Sequence, residues 1–192
     1  MKRATRIILA TAVLIIGAMK AMAIKEPAYK VVEKEYQFEL RDYEPCVLAE
    51  IIVEGTLDEA GTKAFRPLFR YISGDNRTQE KMAMTAPVGQ QRAQEKWAVS
   101  FMMPAGYTLD KLPAPENSAV TLRQVPARRV AAIRYSGFWS EKSYLRSKSE
   151  LESWIRVKNF TVAGDPVWAR YNPPFTPWFL RRNEILIPVD TK

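Results

Sequence analysis

Residues 40–55, LRDYEPCVLAEIIVEG, lie over residues 122–137, LRQVPARRVAAIRYSG, at an offset of 82. Leu40 meets Leu122, Arg41 meets Arg123, Ala49 meets Ala131, Ile51 meets Ile133 and Gly55 meets Gly137. Each stretch is a turn followed by an alternating, β-prone run that stops at glycine, so each reads as a strand. The elements that follow are alike as well. After the first comes TLDEAGTKAFRPLFRYISGDN, where Thr56 and Glu59 have the spacing of a capping box and Phe65, Leu68, Phe69 and Ile72 share a helical face. Pro67 sits inside this helix and is expected to kink it or to mark an irregular first turn. After the second comes SEKSYLRSKSELESWIRVKN, with Leu145, Leu151, Trp154 and Ile155 as its apolar stripe. Two strand candidates follow each helix, KMAMTAPVG and KWAVSFMMP in one case, DPVWARYNP and NEILIPV in the other.

The order is therefore β-α-β-β, twice. A unit of this kind cannot bury its sheet alone, so two must combine. The expected fold is α+β: two β-α-β-β repeats forming a pseudo-twofold, eight-stranded, barrel-like antiparallel sheet flanked by two helices. Residues 106–119, GYTLDKLPAPENSA, then connect the halves of a single domain covering 24–192.

The residues that are missing limit the chemistry. The 192-residue chain contains no histidine and a single cysteine, Cys46. An internal disulfide, the usual zinc sites and any Ser-His or Cys-His catalytic pair are thereby excluded. Carboxylates such as Glu50, Glu54 and Glu80 fall at spacings that specify no acid-base pair, and no enzymatic activity is expected.

The N-terminus reads as a targeting segment. Lys2, Arg3 and Arg6 precede an apolar run from Ile7 to Met19, and Ala21-Met22-Ala23 supplies a small-x-small cleavage site. That run is shorter than the roughly 20 residues a spanning helix needs. Residues 1–23 are expected to be a signal peptide of an exported, periplasmic protein; the alternative is an uncleaved anchor, with transient membrane association through the N-terminus. Loss of this segment lowers the formal charge from +8 to +4. A surplus that small, with no helix-turn-helix, zinc-finger or RNA-recognition pattern, gives no reason to expect nucleic-acid binding.

Three blocks carry a family resemblance: AFRPLFRYISGDN (64–76), KMAMTAPV (81–88) and YNPPFTPWFLRRNEILIPV (171–189). In this order they resemble the SOUL haem-binding family over Tyr29 to Val189. The resemblance implies a repeated β-α-β-β fold, similar in architecture to the ligand-binding domains of some multidrug-responsive regulators. It also implies non-covalent binding of haem or a related tetrapyrrole in a hydrophobic groove bordered by the first helix and the region before the last strand. Carried onto this chain, the groove residues are Phe65, Arg66, Phe69 and Arg70 on the helix, and Phe179, Arg181 and Arg182 before the final strand. Met82 and Met84, on one face of the expected strand 81–88, are pocket wall or core filler.

Some members of the family use an axial histidine, which this chain cannot supply. Iron ligation is left to Met82, Met84, Tyr71, Tyr171, Cys46, water or nothing. Hydrophobic sandwiching with weak or absent ligation suits a carrier, scavenger or sensor. The other readings are a binder of unrelated hydrophobic aromatic molecules and, further off, a tetrapyrrole-modifying enzyme. Oligomeric state and protein partners are not specified by these motifs.

Overall fold

A computed structural model describes residues 24–191. The expected signal peptide, residues 1–23, lies outside the described residues. Strands β1 (Tyr29–Glu35), β2 (Phe38–Tyr43) and β3 (Cys46–Val53) lead into helix α1 (Leu57–Ile72). Strands β4 (Val88–Ala93), β5 (Lys96–Met102), β6 (Thr121–Val125) and β7 (Arg128–Tyr135) precede helix α2 (Glu141–Val157). Short strands β8 (Thr161–Val162) and β9 (Val167–Arg170), a 3-10 turn (Trp178–Leu180) and β10 (Asn183–Asp190) complete the described chain.

The strands form one antiparallel, 10-stranded sheet in the order β1-β2-β7-β10-β9-β4-β5-β3-β6, with β8 paired to β10. The expectation of eight strands closing into a barrel is corrected on both counts. There are ten strands, and the sheet is open, with β1 and β6 as its edges. Both edges carry charge, Lys30, Glu33, Lys34 and Glu35 on one and Arg123 on the other, which discourages pairing with a second chain. Each half lends a strand across the molecule: β2 pairs with β7, and β6 pairs with β3.

Both helices lie on the sheet, α1 over β3 and β5, α2 over β7 and β10. The capping box at the start of α1 is present. Thr56 Oγ1 accepts from the Glu59 N–H at 3.3 Å, and Glu59 Oε2 accepts from the Thr56 N–H at 3.1 Å. α1 continues through Pro67 to Ile72 without ending there. It buries Leu57, Ala60, Ala64, Leu68, Tyr71 and Ile72 against Val99, Phe101 and Ile51 of the sheet. Phe65 and Phe69 flank that face; they are 43% and 47% exposed and stack on each other at 5.8 Å, with the Phe65 ring edge-on to Phe101 at 5.4 Å. The expected stripe thus divides, because small Ala60 and Ala64 allow close approach to the sheet and turn the bulky phenylalanines to the flank. On α2, Leu151, Trp154 and Ile155 are buried, but Leu145 is exposed and Tyr144 and Ser147 take the inner positions.

The stretch KMAMTAPV is not a strand. Residues 73–87 wrap around the buried side chain of Asn76, whose Nδ2 donates to the carbonyls of Tyr71 and Glu80 while its Oδ1 accepts from the Glu80 N–H. The Met82 N–H donates to the Ile72 carbonyl, so it is committed to the end of α1 rather than to a ladder. Pro87, preceded by a cis peptide bond, has no N–H to give. The ladder begins only at Val88.

Candidate functional site

One flank of α1 is the wall of a cleft of about 700 Å³. Asp58, Gly61, Thr62, Phe65 and Arg66 line it, at the one-turn and two-turn spacings that place residues on a single helical face. Met84, Thr85, Ala86 and Val88 contribute from the segment after α1, and Trp139 from the β7–α2 connection. The facing wall comes from the other half of the chain: Arg170 and Tyr171 at the end of β9, then Asn172 to Phe175. Phe175 is 85% exposed at the rim. Pro173 and Pro174 fix the backbone direction of this rim, and Arg181 ties it down by donating to the carbonyls of Pro174 and Thr176 at 2.7 and 2.8 Å. The Trp139 indole is fixed by a 2.8 Å hydrogen bond to Asn183 Oδ1, with the guanidinium of Arg181 4.4 Å from its ring centre.

The structure divides the expected site residues among four places. Phe65, Arg66 and Met84 are in the cleft. Phe69 stacks on Phe65 but does not line it, and Arg70 points to a separate polar depression, where it pairs with Asp75 at 2.9 Å. Met82 is buried in the core. Phe179, Arg181 and Arg182 line another depression beside Tyr29 and Arg41. There Phe179 is 58% exposed, and Arg182 is engaged by Glu184 at 2.9 Å and by Glu26 at 2.8 Å.

Three wall residues lie outside the family blocks, and a fourth, Phe175, lies within the last of them. Trp139, Arg170, Gly61 and Phe175 belong to different elements, and only the fold brings them together. The sole available signal was the ARYNPP run, since Arg170 immediately precedes a proline-fixed aromatic segment and shares strand parity with buried Trp168.

Few groups here can coordinate iron. The Tyr171 ring lines the cleft, but its hydroxyl donates to Glu184 at 2.9 Å. Burial, together with the neighbouring Glu184 charge, pushes its pKa far above the ordinary tyrosine value. Tyr71 is buried, donates to the Pro113 carbonyl and has a pKa raised by burial to about 12. Cys46 lies on β3, outside the cleft lining. Among the described residues, no cluster of three or more His, Cys, Asp or Glu side chains is placed to hold a metal. Met84 is left as the one thioether in the wall, a soft and weak donor. The residues present fit a flat apolar plate better than they fit a ligated metal.

An open antiparallel sheet carrying two helices, with an apolar cleft of small-molecule size at the flank of one of them, defines an α+β domain able to enclose a ligand of a few hundred Å³. The same architecture occurs in the crystal structure of the EcmrR C-terminal domain, with a TM-score of 0.64 at 14% identity over 83% of this chain and 100% of that one. A hydrolase from Listeria innocua shares it at a TM-score of 0.58 and 10% identity, over 83% of this chain and 94% of its own. Residues 24–188 match the family described as SOUL heme-binding protein, and the chain belongs to that family. Similar proteins include Heme-binding protein 1 of Mus musculus, 27% identical over 142 residues and covering 70% of this chain and 74% of its own length. Heme-binding protein 1 of Xenopus tropicalis is 26% identical over 156 residues, covering 77% of this chain and 81% of its own.

Proposed function

We propose that the protein binds haem or a related tetrapyrrole non-covalently in the cleft between α1 and the Tyr171–Phe175 segment, as a carrier, scavenger or sensor and not as an enzyme. One observation carries this reading. A cleft of about 700 Å³ has Phe65, Met84, Trp139 and Phe175 as apolar walls and Arg66 and Arg170 as cations. That combination suits a planar apolar body bearing carboxylates. Family membership and the Heme-binding protein 1 relatives point the same way. Holding the ring by its faces, with Met84 at most a weak donor, leaves the whole haem free to exchange, as transfer requires. Export through residues 1–23, with or without retention at a membrane, is part of the same proposal. So is descent of the two halves from one repeated unit, supported by a strand order that runs β7-β10-β9 in one half and β3-β5-β4 in the other.

Absorption titration of the protein with haem tests the reading. A saturable Soret shift at low micromolar haem is expected, weakened at least roughly tenfold by Phe65→Ala, which removes a stacking wall. Absence of any saturable shift would overturn it. Asp58 on the cleft wall favours a second reading, a binder of apolar aromatic cations. A competition series of porphyrins against cationic triarylmethane dyes separates the two.

A further inference from the structure

Several arginines elsewhere in this protein meet carboxylates. Arg41 reaches Glu184 at 2.7 Å, Arg129 reaches Asp42 at 2.7 Å, Arg123 reaches Glu50 at 2.8 Å and Arg182 reaches Glu26 at 2.8 Å. Arg170 differs. It ends β9 and extends beneath α1 into the cleft wall, where its partner is the neutral Gln90 Oε1, 3.2 Å from Nη2. Its Nε is sealed from solvent without any hydrogen-bond partner. Among the described residues, no carboxylate lies within ion-pair distance of it. The rings of Trp168 and Trp139, with centres at 5.0 and 5.3 Å, attract the cation but do not neutralise it. Burial lowers its pKa to about 10, so the charge persists at neutral pH, and Asp58 on the same wall offsets it only through space. A desolvated cation without a counter-ion is costly, and the cleft is the side from which a counter-ion can reach it.

The helix is shaped to admit this side chain. Gly61 lies inside α1, where glycine weakens a helix relative to alanine. A Cβ at Gly61 would come 2.4 Å from Arg170 Nη2 and 2.9 Å from Nη1. The missing methyl group is the space the guanidinium occupies.

We propose that Arg170 is the anion anchor of the cleft, seating a carboxylate of the bound ligand and selecting free-acid ligands over their esters and over cationic aromatics. The proposal rests on the cleft being the binding site and names the charge of what enters it.

The test compares iron-free mesoporphyrin with its dimethyl ester, and adds anilinonaphthalene sulfonate as an anion that is not a tetrapyrrole. Wild type should hold the free acid roughly tenfold or more above the ester, the range of a charge-assisted hydrogen bond. Arg170→Gln should bring the ratio near one and release the sulfonate dye, while Arg170→Lys keeps part of the preference. Gly61→Ala, which retains the charge but crowds the guanidinium, should also reduce the ratio, and it decides the matter if Arg170→Gln fails to fold. An unchanged ratio in folded Arg170→Gln or Gly61→Ala overturns the anchor while leaving tetrapyrrole binding intact. If neither porphyrin binds but the dye is held by wild type and lost in Arg170→Gln, the tetrapyrrole reading falls and the anchor stands. If Arg170→Gln holds the dye as tightly as wild type does, the anchor falls.

Discussion

Glu184 receives four donors. Arg41 Nη1 and Nη2 donate at 2.7 and 3.1 Å, the Tyr171 hydroxyl at 2.9 Å and Arg182 Nε at 2.9 Å, all on a fully buried carboxylate. Burial alone would raise its pKa, but the hydrogen bond and charge of Arg41, helped by Arg182, hold it below the ordinary value. Removing one member of a buried pair leaves the other uncompensated, so Glu184→Gln should cost about 3–5 kcal/mol in urea unfolding. The pH dependence follows from the direction of the shift. This contribution is complete above the unfolded carboxylate pKa of about 4.3 and is lost as pH falls through the lower folded value. Wild type should therefore lose stability between pH 4.5 and acid in a way that the Gln variant lacks; parallel curves would refute it. Arg70 makes the contrast. Exposed and paired with Asp75 outside the cleft, it should tolerate Arg70→Glu with less than about twofold change in haem affinity, because surface ion pairs contribute little. Sequence alone could not separate Arg66 from Arg70. The two lie one turn apart, and only the loop that delivers Asp75 distinguishes them.

Among the elements, α1 was the most legible and the segment after it the least. Its start was marked by Thr56 and Glu59, and loss of the cap through Thr56→Ala should cost about 1 kcal/mol, lowering Tm by a few degrees in a chain of this size. The inner stripe was only half readable, since a 3.6-residue period shows which residues are apolar but not which of two adjoining faces meets the sheet. α2 gives the sharper test. Leu151→Ala should destabilise by about 2–5 kcal/mol and Leu145→Ala by a few tenths, because the first is fully buried and the second faces water. Equal effects on thermal unfolding would contradict the packing described. KMAMTAPV misleads as a strand because its alternation is real while its backbone is taken by Asn76 and the end of α1. No local pattern announces a hydrogen bond from Met82 to Ile72. The cleft was hidden for a related reason: Gly61, Trp139 and Arg170 meet only through pairings between residues distant in sequence, such as Gln90 with Arg170, 80 apart, and Trp139 with Asn183, 44 apart.

For the whole molecule, the exchange of β2 and β6 between halves means that neither half holds a complete sheet. The cleft repeats this division, with α1 on one side and the residues after β9 on the other. A molecule lodged there touches both halves at once and stabilises only the state in which they are joined. At a hundredfold excess over Kd it should add about 2.7 kcal/mol to global unfolding. Hydrogen exchange should then slow in α1 and in β10 alike; slowing confined to α1 would show that the halves open separately. Cargo and fold therefore share one lifetime: a protease that removes whatever opens should clear the empty chain first and spare the loaded one, so that ligand supply sets how much protein survives.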